Sequence, residues 1–214
     1  MIKSPQQIFV NDLKILCEQS NVELILSKTD SIMYLDSIEC CGYFDNVDKK
    51  TKSPILVCSI GKNLKNIKNI QENFLSTLVH ESCHMDQWLE NDKIWENNLS
   101  CDIVDSWLSG NEIENIKFHI ERTRELELDC EKRTVEKIKK YNLRIDVNSY
   151  IQKANAYVQF YNYILNTRKW STPENSPYND IITLNLPDVF KEKTWYETLP
   201  CYIEELFIKN KVCL

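Results

Sequence analysis

Glycine is almost missing from this chain: 3 residues in 214, alongside only 6 prolines. That scarcity disfavours a Gly-rich phosphate-binding loop and a turn-dense β-sandwich. No run of about 18 consecutive apolar residues occurs, so no membrane-spanning helix is expected. A basic excess is lacking too. Lys and Arg total 26 against 32 Asp and Glu, a net charge of −6. General nucleic-acid binding depends on neutralising phosphates, and this balance argues against it. The first residues, MIKSPQQIFVNDLKILCEQSN, carry no basic segment leading into an apolar one. They read as an amphipathic helix of the mature protein, and a cytoplasmic location is expected. The nine cysteines are odd in number and form no C-x-x-C pair. Reduced thiols fit this pattern better than a disulfide framework. The adjacent Cys40 and Cys41 read as two thiols on opposite faces of a strand.

What is present is the composition of an ordinary globular protein, 43% hydrophobic and 27% charged. The length predicts a single domain, 1–214, with its core at about 70–170. A first helix is expected over about 5–20. Runs rich in β-branched and aromatic residues predict strands at Val22–Ser27, Ile32–Asp36 and Pro54–Ile60, with a weaker one at Gly42–Val47. From about Asn69 the apolar spacing turns helical. Helices are expected at Gln71–Glu90, Trp95–Leu108, Glu112–Tyr141, Asn148–Arg168 and Pro200–Asn210, with a loop over Ser171–Asn185. The order, a helix, a few strands and then helices, predicts an α+β fold.

Residues 80–84 read His-Glu-Ser-Cys-His, an H-E-x-x-H motif in a chain with three histidines. At about 100° per residue, His80 and His84 lie one turn apart on one helix face. Two imidazoles so placed can take two sites of a tetrahedral Zn²⁺. Glu81, rotated by about 100°, flanks that face without joining it, as a general base must. The surrounding helix is apolar at Phe74, Leu75, Leu78, Val79, Met85 and Leu89. Polar groups buried there need a compensating partner, and a metal supplies one. Cys83 and Cys130 read as packing thiols. Trp88, two turns beyond His80, is expected to pack beside the site.

A catalytic site needs a third protein ligand and an open position. No histidine lies in Met85–Asn97, and His119 reads as a helix-surface residue. The acidic segment Glu121–Glu131, ERTRELELDCE, is the better source. An H-E-x-x-H helix followed by an acidic helix resembles the zincin metallopeptidases of the Glu-zincin branch. That resemblance implies a zincin-like fold and a downstream E-x-x-x-D motif, its Glu a ligand and its acid an orienter of a zinc-bound histidine. LVHESCHMDQW, LELDCEKR and YIQKANAYVQFY followed by RKW also resemble metallopeptidase-like proteins encoded by tailed bacteriophages, over about Phe74 to Trp170. For such a protein the location implied is the host cytoplasm.

Two pairs fit the downstream motif: Glu125 with Asp129, and Glu127 with Glu131. Glu125 shares its helix face with Glu121, Arg122, Asp129, Lys132, Arg133 and Glu136, a charged face that reads as solvated. Glu127 lies near 200° from it, among Ile116, Ile120, Thr123, Cys130, Thr134 and Ile138. A carboxylate in an apolar stripe is the costly one to bury. Glu127 is therefore the expected ligand and Glu131 its orienting partner. Among Tyr150, Tyr157, Tyr161 and Tyr163 most are expected in the core, with some able to line a cleft. The combined expectation is a zinc-dependent hydrolase acting on a peptide or protein, with Glu81 as base and His80, His84 and Glu127 as ligands. The alternatives are a non-catalytic interaction or regulatory protein stabilised by zinc, and a structural zinc closed by Cys83 or Cys130.

Overall fold

The computed structural model describes residues 3–34, 38–48, 51–91 and 93–213. The fold is α+β, a small sheet with a mostly helical remainder. The chain forms two compact units: Met1–Asp92 with Arg133–Ile145, and Lys93–Lys132 with Asp146–Leu214. No helix of the described residues is long and apolar enough to cross a membrane.

In the first unit, α1 (Pro5–Gln19) begins in a capping box. The Gln7 amide donates to Ser4 Oγ, and the Ser4 amide donates to Gln7 Oε1. Its inner face buries Gln6, Phe9, Val10, Leu13 and Cys17 at helical spacing. Strands follow at β1 (Glu23–Ser27), β2 (Ile32–Tyr34), β3 (Ile38–Cys40), β4 (Gly42–Asp45) and β5 (Ile55–Ser59). β5 is central, parallel to β1 and antiparallel to β4. Every residue of its Ile-Leu-Val-Cys-Ser run is buried, the pattern of a strand covered on both faces. β2 and β3 pair separately as an antiparallel ribbon. Helix α2 (Glu72–Leu89) packs on β4 and β5. The last turns of α4 (Ile116–Tyr141) close this unit. There the Lys137 ammonium lies 2.7 Å from Asp86 and donates to Ser82 Oγ at 2.8 Å.

In the second unit, α3 (Asn98–Leu108), the earlier part of α4, α5 (Val147–Thr167) and α8 (Cys201–Lys209) build a helical core. Its centre holds Val104, Ile120, Phe160, Ile164, Ile203 and Phe207. Two one-turn helices, α6 (Asp180–Thr183) and α7 (Lys193–Tyr196), interrupt the chain before α8. The irregular stretch around α7 is held by amide side chains of α5. Asn155 donates to the Pro187 carbonyl, Gln159 to Trp195 and Asn162 to Tyr196, each at 2.8 Å. These bonds satisfy carbonyls that no helix or sheet partner reaches.

Several boundaries differ from the sequence reading. The expected helix from Trp95 starts as a 3-10 turn, Lys93–Asn97, and becomes α-helical at Asn98. There Asn97 is buried and accepts from Arg122 at 2.9 Å. Helix α4 starts at Ile116 instead of Glu112, because Asn115 takes a left-handed conformation (φ 56°) and Glu112 pairs with Arg168 at 2.8 Å. The expected Ser171–Asn185 loop contains α6, whose first turn is capped by the Asn179 side chain. Leu35 and Asp36, the end of the expected second strand, lie outside the described residues. Cys40 and Cys41 do not share a strand. Cys40 ends β3 and Cys41 occupies the bend before β4, its carbonyl accepting from the Ser59 amide at 2.8 Å.

Candidate metal and catalytic residues

α2 carries His80, Glu81 and His84 on the first unit. It holds its course because its other faces are apolar: Leu75, Leu78, Val79, Cys83 and Met85 are all essentially inaccessible. Cys83 is thus a packing thiol in the core, and Trp88 stacks at a tilt on Phe44, with ring centroids 5.7 Å apart. The two imidazoles meet edge to face, centroids 4.8 Å apart, as one-turn neighbours do. His84 is buried, His80 half-buried.

One further turn places Gln87, fully buried, beside His84. Its Oε1 lies 2.8 Å from His84 Nδ1. An amide oxygen only accepts, so Nδ1 carries the proton and Nε2 is the unprotonated ring nitrogen. The sequence reading did not include Gln87. The signal was available in its i+3 spacing from His84.

Glu81 is directed toward the sheet. A Cβ on Gly42 would stand 3.1 Å from Glu81 Cγ and 2.8 Å from Thr77 Cγ2, so the missing side chain lets β4 approach this face of α2. The Glu81 charge also acts on the sheet thiols. Burial first, then Glu81, pushes the Cys40 thiol up to about 11, and the same two causes raise Cys58. Glu81 therefore leaves the histidine face, as the spacing predicts.

The second unit contains the acidic part of α4. Glu127 and Glu131 are buried, at 7% and 5% exposure, while Glu125 and Asp129 are half-buried. Glu125 is not simply solvated: its carboxylate pairs with Lys193 at 2.7 Å. Glu131 accepts a hydrogen bond from the Tyr150 hydroxyl. Around Glu127 stand Tyr157, Tyr161 and Cys101. Burial, followed by the Glu127 charge, raises the pKa of all three, Cys101 to about 12. The Tyr157 and Tyr161 hydroxyls bond each other at 2.9 Å. These tyrosines stay neutral and face a carboxylate, an arrangement the sequence alone did not reveal. Tyr163 lies in the apolar core near Phe160 and Phe207. His119 is half-buried, its Nδ1 3.2 Å from Ser100 Oγ.

No family model matches the chain, and no curated protein or solved structure is significantly similar to it.

Proposed function

We propose that the protein is a zinc-dependent hydrolase of zincin-like fold that cleaves peptide bonds. The observation that carries this reading is the α2 triad: two imidazoles one turn apart, the second with its Nδ1 proton held by Gln87, and a carboxylate turned off their face. His80 and His84 would hold the ion with Glu127 as third ligand. Bound there, zinc would supply Lewis acidity toward a carbonyl and lower the pKa of a water. Glu81 would serve as general base toward a water there and as acid toward the leaving amine. Gln87 fixes the ring of His84, and Glu131, tied to Tyr150, is the expected orienting acid.

Metal analysis, with hydrolysis of a peptide library read by mass spectrometry, tests this reading. The protein should hold about one zinc per chain, lost in His80→Ala and in His84→Ala. Glu81→Gln should keep the metal and lose at least about 100-fold in rate. An unchanged rate in Glu81→Gln would overturn the mechanism.

A second reading closes the zinc with the Cys130 thiolate in place of Glu127. Two imidazoles and a thiolate suit zinc, and such a set would favour a structural or regulatory role. Cobalt substitution separates the readings. A sulfur-to-metal charge-transfer band that vanishes in Cys130→Ser supports the thiolate, and its absence supports Glu127.

A further inference from the structure

The segment joining β5 to α2 is a tripeptide written three times: Lys62-Asn63-Leu64, Lys65-Asn66-Ile67 and Lys68-Asn69-Ile70. Its burial follows the same period. Every Lys and Asn of the three is exposed, Leu64 and Ile67 are half-buried, and Ile70 is buried. The apolar third residue anchors each triplet and leaves the lysine and the amide in solvent. The last triplet turns as a 3-10 helix, Ile67–Asn69, and packs on α1. A period of three is that of the 3-10 turn, in which residues i and i+3 lie in line. Turn bonds hold the course at both ends, from the Leu64 amide to the Gly61 carbonyl and from the Asn69 amide to that of Asn66. The lysines therefore form a ridge with one spacing. A merely solubilising loop needs neither one sign nor one spacing.

From Gly61 to Gln71 there is no acidic residue. Lys62 lies 3.0 Å from Asp30, an exposed pair that solvent largely screens. Lys65 and Lys68 make no ion pair among the described residues. Glu72, the next acid along the chain, stands in the first turn of α2, where the helix dipole favours it. The ridge is not the overspill of a basic body: its unit holds 14 Lys and Arg against 14 Asp and Glu, and the other unit 12 against 18. A matching partner is extended and anionic. Three lysines neutralise few phosphates, and no aromatic residue lies between Gly61 and Asn73 for a base to stack on, which disfavours nucleic acid. The asparagine amides donate and accept, as the backbone of a peptide requires.

We propose that the Lys62–Asn69 ridge docks an acidic stretch of a polypeptide, and that the substrate is of this chemistry. The substrate clause rests on the hydrolase reading: the ridge leads directly into α2, the helix of His80, Glu81 and His84, in the same unit.

Fluorescence anisotropy of the full chain with a labelled oligoglutamate peptide, chelator present, tests the docking. The peptide should bind at low ionic strength and weaken as salt rises. Replacing Lys62, Lys65 and Lys68 together by Gln should weaken it at least about tenfold, the combined scale of three exposed charge pairs. Replacing Lys139, Lys140 and Arg144 by Gln removes equal charge from the exposed end of α4 and should change binding by less than about twofold. Equal losses in the two variants would mean diffuse attraction and would overturn the ridge. Absent binding at low salt, or tighter binding of oligothymidylate of equal charge, would overturn it too. No zinc enters this assay, so its failure leaves the hydrolase reading standing, and a protein without zinc in metal analysis would sink that reading but not the docking. In the peptide library, the cleaved peptides should be enriched in acidic residues, and the ridge variant should lose that enrichment. Cleavage without enrichment would overturn the substrate clause alone.

Discussion

At the scale of single residues, the proposed site rests on which side chains are held and which are only near. His84 is held: Gln87 fixes its Nδ1 proton from one helical turn away. Glu131 is held by Tyr150. Glu125 is engaged elsewhere, by Lys193, with both partners partly exposed. These differences predict a ranking of metal affinities, measured by competition with a chromophoric chelator. Glu127→Gln should weaken zinc binding most. Gln87→Ala and Glu131→Ala should each weaken it by about 10–100-fold, the scale for residues that orient ligands. Glu125→Ala removes a weak exposed pair and should leave affinity nearly unchanged, with a stability cost within about 0.5 kcal/mol. Sensitivity of Glu125 with tolerance of Glu127 would show that the E-x-x-x-D spelling, and not burial, marks the ligand.

At the scale of elements, α5 does two jobs with two faces. Ala156, Val158, Phe160 and Ile164 pack against other helices, and Asn155, Gln159 and Asn162 hold irregular backbone. The three amides sit at i, i+4 and i+7, one stripe of the helix. A carbonyl that loses such a partner in the interior leaves a desolvated polar group. Gln159→Ala should therefore cost about 1–3 kcal/mol in chemical denaturation. It should also speed proteolysis between Pro187 and Tyr196 relative to sites in α8. Equal cleavage at both places would mean the segment is held by its apolar contacts alone.

At the scale of the whole molecule, buried thiols make stability depend on alkaline pH. Cys17 is 2% exposed, its sulfur 3.7 Å from Met85 Sδ, and burial pushes its thiol up to about 11 from the ordinary thiol value of 9.0. The folded form stays protonated while the unfolded form ionises. Its contribution is fully present below pH 9 and is lost as pH rises from about 9 through about 11. Urea unfolding in chelator and reductant should show a loss on the order of 2 kcal/mol across that window, attributable to this group. Cys17→Ala should flatten that part of the profile, and an unaltered slope would assign it to other groups.

The H-E-x-x-H spacing by itself determined that His80 and His84 share a face and that Glu81 leaves it, because helix geometry is local. The periodicity of α1, α2 and α5 and the β-branched run of β5 were legible for the same reason. So was the burial of Glu127 over Glu125, since an apolar stripe is a property of one helix. Other features depended on residues far apart in the chain. The starts of α3 and α4 are set by Asn97 meeting Arg122 and Glu112 meeting Arg168, pairs that no local propensity contains. The tyrosines around Glu127 and the amides of α5 were decided only by tertiary structure. A polar side chain's pattern along a helix says which way it points. What it meets there, and hence whether it is satisfied, belongs to the packed fold.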